Sequence, residues 1–110
     1  MSQSNPFKNK LSDQHLNIIN SVESAVKTTG MSVYLVGGTV RDILLNRSPL
    51  DLDFLIEGSS DIQYFANLIG GTIVQESQFG TFKIDFEGEI VDFAFSAEGT
   101  YLVVVFQVNY

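Results

Sequence analysis

Asp51-Leu52-Asp53 sets two carboxylates one residue apart within Leu50 to Ile56, a segment that alternates apolar and polar side chains. In an extended strand this spacing puts both acids on one face, about 7 Å apart, with Leu50, Leu52, Phe54 and Ile56 on the other. Asp is disfavoured in strands, and the two charges repel one another. A divalent cation removes that repulsion, and hard carboxylate oxygens are what magnesium prefers. The competing reading is a plain solvated strand face. On the metal reading, Asp51 and Asp53 project into one cleft and Leu50, Leu52 and Phe54 are buried behind them.

Two further features join this pair. The apolar run Val33-Tyr34-Leu35-Val36 breaks at Gly37-Gly38, just before a helical segment. Such a glycine pair is often only a tight turn. It also permits close backbone approach and leaves free N–H groups at a helix start, which suits phosphate. Arg41, one turn on, either adds a charge-assisted contact to a phosphate oxygen or is a solvated surface arginine. Asp92, in Val91-Asp92-Phe93, shares a face with Ile90 and Ala94, with Val91, Phe93 and Phe95 opposite. A lone acid among so many aromatics is either partnered or functional. If its strand neighbours that of Asp53, three carboxylates converge, the arrangement used to hold two metals.

The elements that must position these residues follow from periodicity. Ser12 caps a helix running to about Thr28, with Asp13 in its first turn and Leu16, Ile19, Val22 and Val26 at helical spacing. Thr39 to Asn46 reads as a short second helix. Gly58-Ser59-Ser60 opens a third, carried by Ile62, Phe65, Ala66 and Ile69 and ended by Gly70-Gly71. Extended pieces follow at Thr72 to Glu76, Gly80 to Phe86 and Glu89 to Phe95, with a hairpin turn at Glu87-Gly88. The uncharged run Tyr101 to Val108 has strand character and is expected to pair near Glu89 to Phe95 through a turn at Glu98-Gly99. A homodimer through the remaining sheet edge is the accompanying expectation. The order α-β-α-β-α-β-β-β predicts an α/β (α+β) domain, a mixed sheet with helices packed against it.

Composition narrows the function classes. The 110 residues suffice for one domain, and 45% of them are apolar, including nine Phe. No apolar run reaches the ~18 residues needed to span a bilayer, and the polar N-terminus lacks the apolar middle of a secretion signal. The absence of cysteine excludes thiolate metal sites and fits a cytoplasmic setting. A formal net charge of −7 leaves little basic face for gripping a polynucleotide, so any such grip must come mainly from elsewhere.

Val36-Gly37-Gly38-Thr39-Val40-Arg41-Asp42-Ile43-Leu44-Leu45-Asn46-Arg47, followed by Asp51-Leu52-Asp53-Phe54, resembles the signature of class II tRNA nucleotidyltransferases (CCA-adding enzymes) and bacterial poly(A) polymerases. These belong to the DNA polymerase β-like superfamily. The resemblance covers residues from about 15 to 101 and implies a nucleotidyltransferase head domain at residues 12–110, behind a flexible N-terminus at 1–11. It implies that Asp51 and Asp53 bind catalytic metals, Mg²⁺ or Mn²⁺. It further implies that Gly37, Gly38 and Arg41 contact the triphosphate of CTP or ATP, and that Asp92 is a third catalytic carboxylate. The family reaction is attack of an RNA 3′-hydroxyl on the α-phosphate, releasing pyrophosphate.

Two departures qualify what the resemblance implies. Ala97 stands where the family pattern has Arg, and Gly99 departs from it again. The Arg-Arg-Asp-Phe-type motif and the base-reading neck, body and tail have no counterpart in these 110 residues. The expectation is therefore a head domain that acts on tRNA only with missing domains or a second subunit. The alternative is a degenerate module that binds nucleotide or protein without turnover.

Overall fold

The computed structural model describes residues 9–78, 80–96 and 106–108. Helix α1, Asp13–Val26, starts where the Ser12 hydroxyl accepts a hydrogen bond from the His15 amide at 3.2 Å. It buries His15, Ile18, Ile19, Val22 and Val26 along one stripe, and Leu11, ahead of the helix, is buried in the same core. Strand β1, Ser32–Leu35, leads into α2, Gly37–Leu44, so the glycine pair forms the first turn of the helix and does not precede it. Strand β2 is Asp53–Glu57, shorter than the alternation predicted. Helix α3, Ile62–Ile69, is capped by Asp61, whose carboxylate accepts from the Tyr64 amide at 3.0 Å. The Gly58-Ser59-Ser60 segment therefore leads up to the helix without capping it. Strands β3, Thr72–Glu76, β4, Thr81–Phe86, and β5, Glu89–Phe95, form a meander, followed by the short β6, Phe106–Gln107.

The six strands form one mixed sheet in the order β3-β4-β5-β2-β1-β6. Among the described residues, β2 and β5 alone run parallel and the other pairs are antiparallel. Helices α1 and α3 pack on each other and against the sheet, α1 at β1 and α3 at β3, while α2 lies against β2. The mixed sheet with packed helices agrees with the expected class. The C-terminal run behaves differently from expectation. Strand β6 pairs with β1, through Tyr34 opposite Gln107 and Leu35 opposite Phe106, and not with β5. The reason is topological: β5 lies between β4 and β2 and has no free edge to offer. The expected turn at Glu98-Gly99 and the start of that run lie outside the described residues. Val108, just past β6, is fully buried in the core.

Phe54, Phe93 and Phe82 occupy matched positions on β2, β5 and β4 and form an aromatic row on the core face. Phe54 stacks on Phe93 with centroids 5.1 Å apart, and Phe93 on Phe82 at 5.4 Å. Phe65 of α3 meets Phe93 edge-on at 5.1 Å, which ties the helix layer to the centre of the sheet. Each such pair contributes about 0.5–1.5 kcal/mol beyond the area it buries.

The turn from α3 into β3 leaves no room at Gly71. A Cβ there would overlap the Ile84 Cγ2 methyl and lie 3.3 Å from the Asp85 carbonyl oxygen. Ile84 is fully buried and cannot retreat. Gly71→Ala is expected to destabilise the domain by about 1–3 kcal/mol, the usual cost of overpacking a core. Urea denaturation checks this, as a lowered midpoint at unchanged slope.

Candidate functional site

The strand register that aligns the phenylalanines also aligns their polar neighbours on the opposite face. Asp53 of β2 stands opposite Asp92 of β5, Asp92 opposite Lys83 of β4, and Lys83 opposite Gln75 of β3. These four residues line a cleft of about 330 Å³, together with Val36, Ser77, Thr81 and Ala94 among others. The expectation that the Asp92 strand neighbours the Asp53 strand is met, and with matched register.

The start of α2 closes on this row. Gly37 has φ +60°, and a Cβ on it would lie 3.1 Å from Asp53 Oδ2. A Cβ on Gly38 would lie 3.7 Å from the same oxygen and 3.4 Å from Arg41 Nη2. The Gly38 backbone amide lies beside the Asp53 carboxylate and favours its charged form, as the positive end of a helix does for an acid. Arg41 is mostly exposed, with its Nε 3.2 Å from Asp42 Oδ1.

Asp51 lies in the bend ahead of β2, exposed, and is not among the residues lining the cleft. Leu50 is 85% exposed, contrary to the expectation that it is buried with Leu52 and Phe54, which are buried. Both differences have one cause. The buried Thr39 hydroxyl donates to the Asp51 carbonyl at 3.0 Å and accepts from the Asp53 amide at 2.8 Å. This clamp turns the chain before Asp53, so the alternation that holds from Leu52 onward does not extend back to Leu50.

The electrostatics follow from crowding of like charge. The pKa of Asp53 is raised from its ordinary value, first by burial, then by the charge of Asp92 and a hydrogen bond shared with it. The Asp51 charge acts in the same direction, while the Gly38 amide opposes it. Lys83 Nζ lies 2.5 Å from Asp92 Oδ1. Its pKa is raised, chiefly by that hydrogen bond, with the charges of Asp92, Asp53 and Asp51 adding to it and burial opposing. Among the described residues, no three acids or histidines are arranged to surround a single ion. Asp92 is turned to Lys83, whereas Asp53 faces the start of α2.

Sequence reasoning missed Thr39 and Lys83. Thr39 stood within the glycine motif with nothing to mark its hydroxyl as bridging two backbone groups. Lys83 was legible as the polar-face residue of Phe82-Lys83-Ile84, but its partner depended on a register that spacing does not disclose.

A mixed sheet whose central strand presents an acid to a Gly-Gly helix start defines a nucleotidyltransferase head domain. The family model for the poly A polymerase head domain matches residues 33–102, and the chain belongs to that family. It is 36% identical over 73 residues to the A-adding tRNA nucleotidyltransferase of Halalkalibacterium halodurans, covering 64% of this chain and 17% of that one. The Thermotoga maritima CCA-adding enzyme complexed with tRNA superposes with a TM-score of 0.70 at 28% identity, covering 84% of this chain and 23% of that one. A CCA-adding enzyme in complex with CTP gives 0.68 at 28% identity, covering 82% of this chain and 22% of that one. The chain thus spans about a fifth of the length of these relatives. Among the described residues, no helix is long and apolar enough to cross a membrane.

Two outcomes follow from this geometry. Thr39→Val removes both buried hydrogen bonds of the clamp and leaves the Asp53 amide unpaired, so stability is expected to drop by about 1–3 kcal/mol, as read from urea midpoints. The second concerns pH. With its folded pKa raised above the unfolded 3.8, Asp53 binds its proton more tightly when folded. Stability therefore falls as pH rises from below 3.8 through the folded pKa. In EDTA at neutral pH, Asp53→Asn is expected to be more stable than the parent. The gap should narrow as pH falls toward 3.8, which paired denaturation curves would show.

Proposed function

We propose that the cleft binds a nucleoside triphosphate, CTP or ATP, together with Mg²⁺ or Mn²⁺, and that the domain transfers the nucleotide to an RNA 3′ end. The observation that carries this reading is the Asp53 carboxylate set against the Gly37-Gly38 start of α2. One place there suits a cation and the adjoining amides suit phosphate oxygens. The residues present fit a magnesium ion. The pKa of Asp53 is raised first by burial and then by the charge of Asp92. A divalent cation would relieve the second, and magnesium is commonly held by one or two carboxylates plus substrate phosphates. Asp51 and Asp53 would hold it, and when bound it supplies charge neutralisation at the reacting phosphate.

The chain's own residues then have distinct tasks. Gly37 and Gly38 admit the triphosphate close to the backbone, because neither carries a Cβ to fill the space beside Asp53. Arg41, exposed at the same helix turn, reaches a phosphate oxygen by leaving Asp42. Asp92 adds the third carboxylate beside Asp53. The RNA 3′-hydroxyl oxygen bonds to the α-phosphorus as its proton passes to solvent, the bond to the bridging oxygen breaks, and pyrophosphate leaves. A tRNA acceptor is supported by the names of the relatives. With a net charge of −7, this domain contributes little to holding the polynucleotide.

A second reading, a module that binds nucleotide without turnover, draws support from the Lys83–Asp92 pair, which engages one of the three acids. Calorimetry with ATP and with CTP tests the site. Binding is expected to require Mg²⁺ or Mn²⁺, to be weak, and to disappear in Asp51→Ala or Asp53→Ala. Equal binding without metal in both variants would overturn the assignment. Single-turnover transfer of labelled nucleotide to a tRNA lacking its 3′ end separates the catalytic reading from the binding-only one.

A further inference from the structure

We propose that Lys83 is a built-in cation of the carboxylate cluster, which holds Asp92 and competes with divalent metal for the acids of the cleft. This rests on the reading that the cleft takes a divalent cation. Three observations carry it. The strand register puts Lys83 directly opposite Asp92, and Asp92 directly opposite Asp53, so the ammonium enters the same row that the acids form. Its Nζ sits 2.5 Å from Asp92 Oδ1, a close charge-assisted contact. Both partners are about two-fifths exposed, 41% for Lys83 and 42% for Asp92. The long lysine side chain therefore has solvent to move into when a stronger cation arrives.

An ammonium and a divalent ion make opposing demands on these acids. The ammonium supplies one positive charge and donates hydrogen bonds, whereas the divalent ion supplies two charges and needs the carboxylate oxygens themselves. While Lys83 holds Asp92, the cleft leaves Asp53 for metal, with Asp51 in the bend just ahead of it. Metal that recruits Asp92 must displace Lys83 or accept the repulsion of its charge. Lys83 thus stabilises the metal-free cleft and weakens metal binding, a device that sets the metal concentration at which the site fills.

Mn²⁺ titration of the 110-residue chain by calorimetry, without nucleotide, compares the parent with Lys83→Met and Lys83→Arg. Lys83→Met is expected to bind Mn²⁺ about tenfold or more tightly, as removal of a nearby unit charge predicts, and Lys83→Arg to stay near the parent. Lys83→Met should also melt lower than the parent in EDTA and regain stability with Mn²⁺. Should Lys83→Met fail to fold, the parent alone suffices. The ¹⁵Nζ resonance of Lys83 is expected to shift on saturation with Mg²⁺, as the ammonium leaves Asp92. Equal Mn²⁺ affinity in parent and Lys83→Met, or an unmoved Lys83 resonance at metal saturation, overturns the role of Lys83 and leaves the metal site standing. Absence of Mn²⁺ binding in both proteins overturns the metal reading and this inference with it.

Discussion

The stack of Phe54, Phe93 and Phe82 is the constraint on which the site depends. Each ring neighbours one member of the polar row in sequence: Asp53 precedes Phe54, Asp92 precedes Phe93, and Lys83 follows Phe82. Because successive strand residues point to opposite faces, locking the rings in register on the core side locks the acids and the lysine in register on the other. A slip of one residue in β5 would bury Asp92 and expose Phe93, losing both stacked contacts at once. Phe65 from α3 reinforces the choice by meeting Phe93 from the helix layer. The geometry of the charged face is thus decided on the apolar one.

At the other end of β2, backbone hydrogen bonding takes over from packing. The Thr39 hydroxyl spans α2 and the segment entering β2, and so sets the distance between the glycine pair and Asp53. Gly37 completes this approach with a left-handed backbone and no side chain to fill the space beside the Asp53 oxygen. Around the same carboxylate two influences oppose one another, burial disfavouring its charge and the amide of Gly38 favouring it.

Most elements were legible because they are amphipathic at one clear period. The stripe of α1, the Gly70 stop of α3 and the Glu87-Gly88 hairpin appear where spacing placed them. What was not legible depends on contacts between distant segments. Leu50 continues the alternation of Leu52 and Phe54, yet a hydroxyl eleven positions earlier in the chain, on Thr39, turns the backbone and leaves Leu50 in solvent. Strand β6 has the composition of a strand with a partner, but the partner is β1, because the sheet order leaves β5 no edge. The glycine motif and the paired acids marked the site well, since their chemistry is local. Lys83 did not, since its meaning arises only when β4 lies beside β5.

The competition between packing and charge can be weighed. Two unit charges about 4 Å apart near a protein surface repel by roughly 4 kcal/mol, so Asp53 opposite Asp92 is a substantial load on adjacent central strands. Full burial of one phenylalanine contributes about 1.5–3 kcal/mol, and Phe54, Phe93 and Phe82 are all buried behind that pair. Burial of the three rings is thus at least comparable to the repulsion. The margin is modest, and the cluster reduces the load by two further routes visible in the structure. Burial and the neighbouring Asp92 raise the pKa of Asp53, so that it holds its proton more readily, and Asp92 takes the ammonium of Lys83. A sheet held by its aromatic face can therefore keep acids crowded on the other, and that crowding is what the proposed cation would relieve.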